Sequence, residues 1–177
     1  MKNIKRIVVG ISGASGVRLA KKFIEYLPSS IEKFVIVSDG AKEVFKREEQ
    51  ITLLDDQDLG AVCSSGSFKC EAMAIIPCSM NSLAKISYGI ADNLLTRTAA
   101  VMIKEKRVLL IAPREMPFSQ IALENMLKLS KLGVIIAPPI SGYYAKIESL
   151  NDLENFFIGK WFDLLGIENN LYKRWEG

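Results

Sequence analysis

The sequence contains no histidine among its 177 residues. A mechanism that needs an imidazole base, a histidine metal ligand or a Ser-His-Asp triad is therefore excluded for this chain. Acid and base chemistry must fall to Glu, Asp, Lys, Tyr, Ser or Cys side chains. Only three cysteines are present, Cys63, Cys70 and Cys78, and their spacing matches no zinc site. We expect reduced thiols rather than disulfides.

Long apolar runs and a strong charge of one sign are also missing. No apolar run approaches the ~20 residues of a membrane-spanning helix, and the N-terminus has lysines without a cleavable apolar segment. The net charge is only +3, with no basic block that would favour nucleic-acid binding. We expect a cytoplasmic protein that binds neither membrane nor nucleic acid. Because 49% of the residues are hydrophobic, the chain can form one domain, residues 1–177, around its own core.

The most informative stretch is residues 7–16, which are IVVGISGASG. A β-branched apolar run ends in Gly10, Gly13, Ser15 and Gly16, after which apolar residues recur at helical spacing. This pattern predicts a strand, a tight turn and a helix. Glycines let the backbone approach a ligand, and the free N–H groups of a helix start attract phosphate. The spacing matches neither the dinucleotide nor the Walker pattern, so a nucleotide site and an ordinary strand-to-helix turn both remain open.

Apolar runs and helical patterns alternate along the rest of the chain. The further strands are expected at residues 33–38, 72–77, 108–112 and 134–137. This alternation predicts an α/β fold, a Rossmann-like (flavodoxin-like) parallel sheet with helices on both faces. We expect residues 50–71 to form an irregular, mobile loop that borders the site.

Polar residues follow several of these strands, where ligands bind in open α/β sheets. Ser38 either touches the same ligand as Ser15 or caps a following helix. Residues 79–82 open a helix and offer a second set of N–H and hydroxyl donors for phosphate. Arg114 and Glu115 stand between prolines at the end of a buried strand, which favours a ligand contact over a surface turn.

Two other groups of charged residues have a structural as well as a functional interpretation. Arg97 and Lys104 lie seven residues apart on one predicted helix, which places them on the same face. They either bind an anion together or belong to a solvated helix face. Asp55, Asp56 and Asp58 lack the glycine and the terminal glutamate of a calcium loop, so a loop is preferred to a metal site.

Taken together, the motifs resemble one family, the flavin prenyltransferases of the UbiX type, formerly described as aromatic-acid decarboxylases. The resemblance covers nearly the whole chain in the same order. Its segments are Gly13-Ala14-Ser15-Gly16, Pro77-Cys78-Ser79-Met80, Asp92-Asn93-Leu94-Leu95 with Arg97, Pro113-Arg114-Glu115-Met116-Pro117, Leu123-Glu124-Asn125-Met126 and Gly142-Tyr143-Tyr144.

The resemblance implies transfer of a dimethylallyl group from dimethylallyl monophosphate to reduced FMN, without a metal. The prenylated FMN would serve a separate decarboxylase, with a place in ubiquinone biosynthesis, and the protein would be a homododecamer with FMN at subunit contacts. The implied FMN-binding residues are Gly13, Ala14, Ser15, Ser38, Ser79, Met80, Asn81, Ser82 and Arg114. The implied residues around the prenyl phosphate are Glu48, Arg97, Lys104, Tyr144 and Lys160, with Ser15 and Glu115 as the catalytic pair.

Two other functions compete with this prediction. Flavin-dependent decarboxylases of cysteine-containing substrates share the fold class, but they depend on an early histidine that this chain lacks. A non-catalytic FMN-binding carrier subunit is the other alternative, although it would need no second phosphate pocket. The choice between monophosphate and diphosphate stays open. Lys160 stands where an arginine also occurs in the family, which keeps the charge but loses bidentate phosphate binding.

Overall fold

The computed structural model describes residues 4–13, 16–37, 45 and 50–175. Six strands form a sheet in the order β3-β2-β1-β4-β5-β6, and every neighbouring pair is parallel. The strands are β1 (Arg6–Gly10), β2 (Glu32–Val37), β3 (Ile51–Asp55), β4 (Ala72–Cys78), β5 (Val108–Pro113) and β6 (Ile135–Ile136). The described residues also form the helices α1 (Val17–Tyr26), α2 (Met80–Ser87), α3 (Leu94–Lys104), α4 (Gln120–Lys131) and α5 (Leu150–Leu165).

Two hydrophobic cores lie on opposite faces of the sheet. One contains Phe23 of α1 and Trp161 of α5, and the other contains Leu95 of α3 and Met126 of α4. The central strand β4 is buried along its whole length, as its uninterrupted apolar sequence predicts for a strand covered on both faces. The predicted flavodoxin-like architecture is confirmed.

The main difference from the sequence prediction is β3. The prediction of an irregular loop over residues 50–71 is wrong for Ile51–Asp55, which pairs with β2 at the edge of the sheet. Its residues are only partly buried or exposed, because an edge strand has a neighbouring strand on one side only. A five-residue run with two polar residues carries too weak an apolar pattern to be identified as a strand.

The rest of this segment is held against α3. The Asp56 carboxylate accepts hydrogen bonds from Leu95 N at 2.9 Å and Asn93 Nδ2 at 2.7 Å, which anchors it at the start of α3. Arg107 donates to Phe68 O and Gly66 O, both at 2.6 Å. In place of the expected mobile loop, the structure has a segment that hydrogen bonds hold at both ends.

The helices α1, α2 and α4 each follow the carboxyl end of a strand, so their N-termini meet at one edge of the sheet. Here Ser79 caps α2 and Ser119 caps α4, each by accepting a backbone N–H on its hydroxyl oxygen. We call this edge the carboxyl edge. Among the described residues, no helix has the length and apolarity needed to cross a membrane.

Candidate functional site

The turns after β1 and β4 are joined by a small network of serine side chains. Ser12 Oγ accepts a hydrogen bond from Ser79 N at 2.9 Å, and Ser12 N donates to Pro77 O at 3.1 Å. Ser79 Oγ in turn donates to Ser82 Oγ at 3.1 Å and accepts from Ser82 N at 3.2 Å. Sequence reasoning did not select Ser12 as a site residue, although its place in the same turn as Gly13 was a usable signal.

Two glycines allow the first turn to lie against the second. Gly16 has a φ of 103°, and a Cβ there would lie 3.2 Å from Pro77 Cγ. Gly13 has a φ of 95°, and its Cβ would lie 3.8 Å from Ser79 Cβ. Both values of φ favour glycine, so Gly13 and Gly16 serve the turn itself. Four predicted residues fall outside the described part of the chain: Ala14, Ser15, Ser38 and Glu48.

The start of α2 completes a surface rich in hydrogen-bond donors. Met80 is partly buried against the core, Asn81 is exposed and Ser82 is buried. The first N–H groups of a helix lack intrahelical partners, and here they lie beside the hydroxyls of Ser12 and Ser79. Hydroxyl groups and backbone N–H groups without an intrahelical partner are donors that bind phosphate. Their arrangement here fits the phosphate of a flavin mononucleotide.

Arg114 and Glu115 follow β5 on the same edge. Arg114 N donates to Cys78 O at 3.3 Å, which ties the exit of β5 to the exit of β4 just before Ser79. Beyond it lies a cavity of about 410 Å³, lined by residues 113–118 and 138–140. Both charged side chains are exposed, and the cavity wall is otherwise mostly proline and apolar side chains. The structure thus brings Arg114 and Glu115 to the edge that carries the serine network.

Tyr144 and Lys160 flank an aromatic cluster formed by α5, the turn after β6 and the C-terminal residues. Tyr144 lies on a short 3-10 turn after β6, with its ring centroid 6.0 Å from Phe156 and 5.8 Å from Trp175. Lys160 Nζ on α5 lies 6.0 Å from the ring centroid of Tyr172, which is itself 5.1 Å from Phe156. Sequence reasoning assigned no role to Tyr172, because only the folded tail brings it between the two predicted residues.

Lys104 lies at the end of α3 that is away from the carboxyl edge, whereas Arg97 lies near the start of this helix. Arg97 Nε donates to Ser64 O at 3.1 Å, and Lys104 forms an ion pair with Glu105 at 2.7 Å. Lys104 ends α3 shortly before β5 begins, whereas Glu115 follows the far end of that strand. Six strand residues at ~3.3 Å each span about 20 Å, so one chain does not bring Lys104 to Glu115.

The three cysteines are buried, unpaired thiols. Burial raises the pKa of Cys70 to about 11 and that of Cys78 to about 12, and it also raises the pKa of Cys63. The thiols are therefore neutral and pack as small apolar groups. Within the described residues, no group of three or more His, Cys, Asp or Glu side chains is arranged to hold a metal ion.

The fold and the donor set at the carboxyl edge define a flavoprotein, and residues 1–162 match the family model named Flavoprotein. The chain is 50% identical over 183 aligned residues to the flavin prenyltransferase UbiX of Helicobacter pylori strain ATCC 700392, with 96% of this chain and 98% of that protein covered. The chain belongs to the UbiX flavin prenyltransferases within the Flavoprotein family.

Solved structures agree with this assignment. AnUbiX (PadA1), crystallised with FMN and dimethylallyl pyrophosphate, superimposes with a TM-score of 0.88 at 35% identity, with 99% of each chain covered. A dodecameric FMN-dependent UbiX-like decarboxylase from Escherichia coli O157:H7 has a TM-score of 0.86 at 35% identity, covering 97% of this chain and all of the other.

Proposed function

We propose that this chain, as one domain over residues 1–177, transfers a dimethylallyl group from dimethylallyl monophosphate to reduced FMN without a metal. The observation that carries the proposal is the network of serine hydroxyls and helix N–H groups at the carboxyl edge, which offers one anion site. We assign Glu115, Tyr144 and Lys160 to a second anion site. A reaction between two phosphate-bearing molecules needs two such sites, whereas a carrier of FMN needs only one.

The first site holds the acceptor. Its donors are the hydroxyls of Ser79 and Ser82, the backbone near Gly13 and the guanidinium of Arg114, whose backbone is tied to the end of β4. The remaining residues assigned to it are Ala14, Ser15, Ser38, Met80 and Asn81. Reduced FMN, when bound, supplies the N5 and C6 atoms that accept the five-carbon group.

The second site receives the prenyl phosphate. When the allylic C–O bond breaks, its electron pair goes to the phosphate oxygen and positive charge develops on the prenyl carbon. Cations held in place at the phosphate, such as Lys160, stabilise that separation of charge. Glu115 with Ser15 delivers a proton to the leaving phosphate, and the Tyr144 ring offers a π-face to the developing cation.

A second copy of the chain completes this site. Lys104 cannot reach the Glu115 of its own chain, but both lie on exposed surface. A neighbouring subunit would bring Arg97, Lys104 and Glu48 to the phosphate of the first. The dodecameric assembly of the Escherichia coli relative supports this arrangement, and we propose a homododecamer for this chain as well.

The residue types assigned to the site support metal independence. Most sites that ionise an allylic phosphate need a cation, and we assign that role to arginine and lysine side chains. The prenylated FMN leaves for a separate decarboxylase, which uses it as a cofactor.

The proposal is tested by anaerobic incubation of the purified protein with reduced FMN, dimethylallyl monophosphate and EDTA, followed by mass spectrometry of the released flavin. We expect a flavin heavier by one C5 unit. A parallel reaction with dimethylallyl diphosphate determines the preferred donor. Unmodified FMN, released from protein that binds it tightly, would instead support the carrier function.

A further inference from the structure

Residues 169–175, which we call the strap, fold back along α5 toward the carboxyl edge. Asn169 Nδ2 donates to Gly159 O at 3.2 Å, the Tyr172 ring lies 5.1 Å from Phe156, and the Trp175 ring lies 5.8 Å from Tyr144. The Tyr172 and Trp175 rings thus contact residues that come earlier in the chain than Gly159. The strap therefore ends against a residue that we assign to the prenyl-phosphate site.

Asp163 near the end of α5 holds three residues of the strap. Its Oδ2 accepts hydrogen bonds from Tyr172 OH at 2.6 Å and Arg174 Nη1 at 2.9 Å. Its Oδ1 accepts from Arg174 Nη2 at 2.8 Å and Asn169 Nδ2 at 2.9 Å. The two hydrogen bonds between Arg174 and Asp163 fix the orientation of the guanidinium group as well as its distance from the carboxylate. Asp163 therefore holds the strap in one position against α5.

The protonation states agree with this geometry. Partial burial alone would raise the pKa of Asp163, but the hydrogen bonds from Arg174, Tyr172 and Asn169 outweigh it and lower that pKa. Burial and the hydrogen bond to Asp163 raise the pKa of Tyr172 to about 12. Near neutral pH the carboxylate is charged and the phenol keeps its proton, as their hydrogen bond requires.

Gly159 provides independent evidence that the strap has a defined place. A Cβ on this residue would overlap Tyr172 Cδ1 and would lie 3.0 Å from Asn169 Oδ1. A glycine within a helix is less favourable than alanine, because it loses more backbone entropy on folding. Here the missing side chain makes the room in which the Tyr172 ring lies on α5.

We propose that Asp163 is a positioning residue of the prenyl-phosphate site, acting through the strap. It lines a cavity with Ile4 and Val108, which lie at the amino ends of β1 and β5. By anchoring the strap it keeps the Trp175 ring against Tyr144 and the Tyr172 ring beside Lys160. This inference rests on the proposed function, because it assigns the strap to the donor site and not to the FMN site.

The first measurement follows the strap itself and needs no enzyme activity. The chain has two tryptophans, and Trp161 is 2% exposed whereas Trp175 is 70% exposed. Labelling with 5-fluorotryptophan gives two ¹⁹F resonances, which Trp175→Phe assigns. In Asp163→Asn, which loses the charged bidentate pair, we expect the Trp175 signal to sharpen and move toward the free amino acid. Asp163→Glu should restore part of the wild-type shift.

The second measurement compares the effect of each variant on the prenyl phosphate with its effect on FMN. Asp163→Asn and Gly159→Ala should each raise KM for dimethylallyl monophosphate about tenfold while Kd for FMN changes less than twofold. The methyl group of Gly159→Ala displaces the Tyr172 ring of the strap, and the Asp163 carboxylate keeps its charge. Glu32→Gln is the matched control, because it removes the exposed Arg6–Glu32 ion pair of 2.6 Å, which no strap residue contacts.

Each outcome decides the inference. A mobile Trp175 with a raised KM for the prenyl phosphate alone supports it. An unchanged ¹⁹F spectrum overturns the anchoring role, and a released strap with unchanged KM overturns the link to the site. Equal losses of FMN and prenyl-phosphate binding would show a merely structural role. If the wild-type protein transfers no prenyl group, the proposed function fails, and the ¹⁹F spectra still decide whether Asp163 anchors the strap.

Discussion

Lys104 and Glu115 lie at opposite ends of β5, about 20 Å apart, although we assign both to the same phosphate. The assignment holds only if Lys104 acts on the site of a neighbouring subunit. Lys104→Ala and Glu115→Gln should then each lower activity at least ~100-fold, the scale of losing one charge-stabilising group. Oligomers reassembled from an equal mixture should regain roughly a quarter of wild-type activity, because random pairing restores that share of complete sites.

Subunit exchange must be verified by mass spectrometry of differently tagged chains. Mixed oligomers without recovered activity would show that both residues serve one site within a chain, or that Lys104 serves none. A mixture of Glu115→Gln with itself under another tag provides the baseline.

Glu115→Gln by itself separates catalysis from binding. The amide keeps the shape of the side chain but cannot deliver the proton to the leaving phosphate. We expect Kd for FMN to stay within a few-fold of wild type while formation of prenylated FMN is lost. Flavin titration and mass spectrometry of the product measure the two effects. A large loss of FMN binding would contradict the role assigned to Glu115.

The serine network predicts a difference between two helix caps. Ser79 and Ser119 each accept one backbone N–H at 3.2 Å, so alanine at either position should cost about 1 kcal/mol in the free energy of unfolding. Only Ser79 also contacts Ser12 and Ser82. Ser79→Ala should therefore weaken FMN binding at least ~10-fold, as expected for a lost phosphate contact, whereas Ser119→Ala should leave it unchanged. Equal FMN affinities in the two variants would show that Ser79 does not contribute to FMN binding.

Acidification should release the strap from α5. The folded-state pKa of Asp163 is lowered by Arg174, Tyr172 and Asn169 against the opposing effect of burial. Its contribution is then fully present above the unfolded pKa of ~3.9 and disappears as pH falls through the folded value. The raised pKa of Tyr172, about 12, keeps the phenol protonated across the neutral range. We expect the Trp175 ¹⁹F shift to be constant from about pH 5 to 9 and to change below ~4.

The same titration in Asp163→Asn is the control, because the amide has no charge to lose. Its Trp175 signal should show no transition in the acid range. A transition at the same pH in both proteins would assign it to another group.

Gly16 should be sensitive to substitution for two separate reasons. Its φ of 103° costs a residue with a Cβ about 1–2 kcal/mol, and the Cβ would also lie 3.2 Å from Pro77 Cγ. Gly133, with a φ of 84° and no atom within 4 Å of its Cβ, has only the first cost. Urea unfolding should show a larger loss for Gly16→Ala than for Gly133→Ala. FMN affinity should fall only in the former.

Much of the fold could be predicted from the chain because its strands are strongly apolar. The runs in β1, β4 and β5 are buried on both faces, so their sequences alone identify them as central parallel strands. The edge strand β3 was missed because Ile51–Asp55 is only half covered and alternates weakly. A run of apolar residues identifies a strand where both of its faces are buried. At the edge of a sheet the run is shorter or interrupted, and the strand is harder to identify.

Some features of the site could likewise be predicted from the sequence, and others could not. The amino-acid order alone placed Ser79, Arg114 and Glu115 at the carboxyl edge, since a residue that follows a parallel strand must emerge there. Only the tertiary structure returned Trp175 to Tyr144 and placed Tyr172 beside Lys160. Those relations depend on how distant segments pack. Periodicity within one segment carries no information about the distance between two.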